Sequence, residues 1–149
     1  MTVPDAAVIT ATARVRQLLG LTQILTARLE TETAAFAAQR PQDVAEGLAE
    51  TQDLANAYRR ESAQVKADPS ALAAAPLAER KALMSATRLF DAAVAAHAGA
   101  VEAARQISEG LVRAIAGEVT EARGAPAGYG ASGHAAVADG RAFALNRTA

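Results

Sequence analysis

The chain has 149 residues, a formal net charge of -1 and a hydrophobic content of 51%, enough apolar material for one domain with a continuous core. Its 15 basic and 16 acidic residues form no basic cluster, which excludes the electrostatic footprint of a nucleic-acid binder, and the absence of cysteine removes disulfides, thiolate nucleophiles and thiolate metal sites together. Alanine dominates the apolar half, with aromatics at only 3%, a make-up that suits long, closely packed helices.

The chain opens Met1-Thr2-Val3-Pro4-Asp5, with neither the basic start nor the apolar run of an export signal, and no stretch approaches eighteen strongly apolar residues. A cytoplasmic protein without membrane insertion is the expectation. Asp5 is placed to cap a first helix over 5–39. Its apolar residues Val8, Ala11, Val15, Leu18, Leu25, Leu29 and Phe36 alternate by fours and threes, the spacing that keeps one seam against a partner helix. Thr22 and Glu32 interrupt the seam, and Arg40-Pro41 ends the helix because a proline disfavours helical geometry in the residue before it.

A second helix over 42–67 carries Val44, Leu48, Thr51, Ala55, Tyr58, Ser62 and Val65 at the same spacing, with Leu54 beside them. Asp68-Pro69-Ser70 stops it. The connection between the two helices is short, so an antiparallel hairpin is the economical arrangement. Ser70 to Ala75 can form a short helical turn before Pro76, which suits the first position of a third helix over 76–122.

In that helix Leu83, Thr87, Phe90, Val94, His97, Val101, Ala104, Ser108, Leu111 and Ile115 keep one stripe, while Met84, Ile107, Val112 and Val119 widen it, mostly in the last third. Gly99, Gly110 and Gly117 each cost about 1 kcal/mol relative to alanine. At about 1.5 Å per residue the third helix outruns the second, and an apolar stripe on the surplus, without a partner, is expected to be a binding surface. Beyond Arg123 glycines crowd the sequence, so 124–149 reads as a flexible tail. Tyr129, Phe143 and Leu145 within it are the kind of apolar residues that order on a partner. The expected fold is therefore all-α, a helical hairpin plus a third long helix forming a bundle over 1–123, followed by the tail.

Catalytic chemistry finds no parts. His97 and His134 have no carboxylate at metal-ligand spacing, and neither a Gly-x-Ser-x-Gly elbow nor a Gly-x-x-x-x-Gly-Lys loop occurs. Gly128, Gly130 and Gly133 follow no strand, so a dinucleotide-binding fingerprint fails on context. The carboxylates of Glu30, Glu32, Glu46, Glu50, Glu61, Glu102, Glu109, Glu118 and Glu121 fit solvated helix faces. Ala96-His97-Ala98-Gly99 resembles the phosphorylated segment of histidine phosphotransfer domains, but the lysine and glycine expected after the histidine are not matched, and the stripe puts His97 on the buried side. No catalytic residue, cofactor or metal is expected.

The layout as a whole resembles the FlgN-like flagellar export chaperones: a long first helix with Leu25, Leu29, Glu30 and Glu32, a hairpin to a shorter helix, a long third helix, and Tyr129-Gly130-Ala131-Ser132-Gly133 just beyond it. It differs in its alanine richness and in having His97 where asparagines are expected along the third helix. The resemblance implies a cytoplasmic chaperone that binds hook-associated proteins and delivers them to the flagellar type III export gate. It implies client binding by Leu111, Val112, Ile115 and Val119, and gate docking by Tyr129 with Gly130 and Gly133. Two other functions are compatible with the same residues: a homodimeric coiled-coil adaptor whose seams pair between subunits, and a phosphotransfer module using His97.

Overall fold

A computed structural model describes residues 5–124. Five helices follow in order: α1 (Ala6–Ala37), α2 (Gln42–Ala45), α3 (Leu48–Ala67), α4 (Ser70–Ala73) and α5 (Leu77–Gly124). The fold is all-α, as the periodicity predicts, and no strand occurs among the described residues.

The start of α1 follows from its sequence. The Asp5 carboxylate accepts a hydrogen bond from the Ala7 N–H at 3.3 Å, satisfying one of the donors that a helix start leaves without an intrahelical partner. Its end is less obvious. Gln39 turns into the left-handed region at φ 58°, the Arg40 N–H reaches back to the Ala35 carbonyl at 2.9 Å, and the Gln39 N–H to Phe36 at 3.0 Å. That is the Schellman closure usually given to glycine, and Pro41 reinforces it by keeping Arg40 out of helical geometry.

The helix expected over 42–67 comes in two pieces, with a break at Glu46 and Gly47. A Cβ on Gly47 would lie 2.8 Å from Arg28 Nη1, so the missing side chain lets the Arg28 guanidinium lie close while it pairs with Glu50. One seam position is corrected by this break: Leu48, the first residue of α3, is 46% exposed, because the helix restarts there and its first turn has not yet come round to the core.

The chain divides into two compact units, Met1–Arg105 and Gln106–Ala149. Within the first unit, cross-contacts fix the directions of the helices. Arg14 meets Gln64, Arg28 meets Glu50 and Glu32 meets Thr51, so α3 runs antiparallel to α1. Arg16 meets Glu79 and Glu32 meets His97, so α5 runs parallel to α1. Three long helices thus form an up-down-up bundle, with Tyr58 of α3 against Phe90 of α5 at 4.6 Å between ring centroids.

The core holds the seam of α1. Ala11, Val15, Leu18 and Leu25 are buried, and Val15 has no exposed area. Ala11, Val15 and Leu18 form one cluster with Ala75 and Leu83, on which Leu19, Tyr58, Val65 and Leu72 pack. Thr22 sits inside the core, its hydroxyl donating to the Leu18 carbonyl at 2.7 Å, and Thr26 repeats the device on Thr22. A threonine that bonds one turn back in this way can occupy a seam without an unsatisfied polar atom. On the surface, the hydrogen bond from Arg16 to Glu79, and then the attraction of its charge, raise the Arg16 guanidinium above its ordinary value; an exposed pair of this kind adds little stability.

Candidate functional site

Two arrangements in the molecule could carry function, one polar and one apolar. The polar one lies in the first unit. Glu32 is 8% exposed; its Oε1 accepts from the Thr51 hydroxyl at 2.7 Å, and its Oε2 lies 2.9 Å from His97 Nε2. The His97 ring meets Phe36 edge-on at 6.0 Å. The spacing of α1 places Glu32 and Phe36 one turn apart on one face, while α3 and α5 bring Thr51 and His97 to the same level.

This is a buried carboxylate with partners on both oxygens, which is how an interior acid is tolerated. His97 is a half-buried histidine, its side chain 24% exposed, with its Nε2 engaged, rather than the fully buried one that the stripe predicts. Among the described residues no group of three histidines and carboxylates is placed to hold a metal ion, and the Thr51 hydroxyl that donates to Glu32 is itself buried, at 7% exposure. The sequence marks Glu32 as an interruption of the seam and Thr51 as a seam position without linking the two, and its placing of Glu32 on a solvated face is corrected here: the seam turns that residue inward, where Thr51 and His97 satisfy it. Their pairing is a tertiary fact, and a hydroxyl on one seam opposite an acid on another was the available signal.

A groove of about 420 Å³ lies elsewhere in this unit, lined by Leu18, Thr22, Tyr58, Ser62, Val65 and Leu83 among others. Lys66 brings a charge to this otherwise uncharged lining.

The apolar arrangement lies in the second unit, whose described residues are the helical stretch 106–124. Ile107 is 55% exposed, Leu111 61%, Val112 65%, Ile115 53% and Val119 44%. Isolated surface aliphatics are ordinary, whereas several on one helix face form a contiguous apolar patch. Leu111, Val112, Ile115 and Val119 are therefore brought together on one open face, with Ile107 joining them. Tyr129, Gly130 and Gly133, which the resemblance assigned to docking, lie outside the described residues. No described helix is long and apolar enough to cross a membrane.

The chain matches no known protein-family profile, and no solved structure matches it significantly. It is 44% identical over 146 residues to the flagellar basal-body protein FlbY of Caulobacter vibrioides, a match that covers 96% of this chain and 98% of that protein.

Proposed function

Because the chain belongs to the family of the flagellar basal-body protein FlbY, we propose that it serves flagellar assembly as a cytoplasmic chaperone, binding hook-associated proteins and delivering them to the type III export gate. The observation that carries this reading is the open aliphatic face at Leu111, Val112, Ile115 and Val119. A client helix laid on that face would cover apolar surface on both partners, the helix-in-groove mode of recognition. Tyr129 takes the gate-docking role in this reading, together with Gly130 and Gly133. The work is binding; it needs no catalytic group, cofactor or metal.

The test is recovery of bound proteins by the purified full-length chain from lysate of its own bacterium, identified by mass spectrometry. Hook-associated proteins are expected among them. Ile115→Asp combined with Val119→Asp should cut their recovery at least about ten-fold at unchanged helicity, since both positions are exposed and each desolvated charge opposes docking. Tyr129→Ala should leave recovery intact and impair secretion of the clients. Undiminished recovery by the double variant would remove the face from the function, and recovery of the chain alone would favour the homodimeric adaptor.

A further inference from the structure

The shape and charge of the exposed face say more about its occupant, on the premise that the face binds a partner as proposed above. Each helical residue turns by about 100°, so Ile107 and Val112, five positions apart, bound a stripe about 140° wide. Leu111, Ile115 and Val119 point into it between those edges. A single helix packing in a two-stranded coiled coil uses a narrower seam, whereas a stripe of this width is what a helix presents to a core made by more than one neighbour.

Charge distinguishes the two edges. In helical projection Glu118 falls between Ile107 and Leu111, and Glu121 lies just outside Ile107. Both are exposed, and among the described residues neither is paired with a cation. Arg113 pairs instead with Glu109 at 3.5 Å. A parallel second copy would set Glu118 against its own counterpart, a like-charge contact inside an apolar surround.

We propose that the face Ile107–Val119 seats two packed amphipathic helices of one partner protein, and that the helix along the Ile107 edge carries lysine or arginine opposite Glu118 and Glu121. The other helix covers the Val112 edge through aliphatic side chains. Together with the stretch 106–124 the pair makes a three-helix core.

Photo-crosslinking tests this with the full-length chain in its own bacterium, carrying benzoylphenylalanine at Ile107 or, separately, at Val112, the crosslinked peptides being identified by mass spectrometry. The expected result is one partner protein joined through two peptides from different helices, the Ile107 peptide containing a basic residue. Glu118→Lys with Glu121→Lys should lower the Ile107 crosslink by about five-fold or more and change the Val112 crosslink by less than about two-fold. A single shared peptide at both positions overturns the proposal. So do crosslinks to residues 125–149 or to a second copy of this chain, an equal effect of charge reversal on both edges, or no crosslink at either. A partner unrelated to flagella but joined through two helices would refute the chaperone reading alone; a hook-associated protein joined through one helix would refute only the two-helix geometry.

Discussion

Glu32 shows how one buried residue can depend on two others. Its carboxylate is shielded from water and is held by Thr51 and His97 from two other helices, so removing either donor leaves a buried acceptor with lost hydrogen bonding. Thr51→Val, nearly isosteric, is expected to cost about 1–3 kcal/mol in chemical denaturation. Replacing the whole cluster, Thr51→Val with Glu32→Leu and His97→Leu, should cost less than that, because a buried polar group with no partner is worse than none. A triple variant that is destabilised further than Thr51→Val would show that the cluster is not held by mutual satisfaction. Part of this was legible in the sequence: Glu32 breaks an apolar spacing and His97 falls on a stripe. Which donor each oxygen would find was not, since Thr51 and His97 are 19 and 65 positions from Glu32 and no local pattern records a contact across that distance.

At the scale of the helices, the same four-three spacing yields two different environments. Leu25 of α1 is 3% exposed and Leu111 of α5 is 61% exposed. Leu25→Ala should therefore cost about 2–5 kcal/mol, and Leu111→Ala less than about 0.5 kcal/mol, measured by urea denaturation of each variant. Equal costs would contradict the contrast in burial. Periodicity reports which residues share a face: it placed the seam of α1, whereas on α5 the residues buried beside Leu83 are Ala86 and Ala93, and Val94 and Val101 of the expected stripe are 42% and 38% exposed. What covers a face depends on the lengths and turns of other elements. The break before α3 escaped prediction for a related reason: Gly47 is tolerated inside many helices, and only the approach of Arg28 shows why the side chain is absent here. Likewise Gln39 adopts a left-handed turn that composition would assign to glycine.

For the molecule as a whole, the division into two compact units leaves the core of polar and apolar packing in Met1–Arg105 and the open aliphatic face in the stretch after it. The up-down-up order of the bundle also sets a sequence of events. The α1–α3 pairing at Glu32 and Thr51 closes a loop of 19 residues, whereas the α1–α5 contacts at Arg16–Glu79 and Glu32–His97 close loops of 63 and 65. Closing the longer loops costs more chain entropy, so the hairpin is the natural nucleus and the third helix docks on it afterwards. In stopped-flow refolding, Thr51→Val should slow folding, while His97→Gln should mainly accelerate unfolding; the reverse pattern would mean that the third helix nucleates the bundle. Late docking would give the newly made chain an interval in which the hairpin has formed and the apolar side of the third helix is still uncovered.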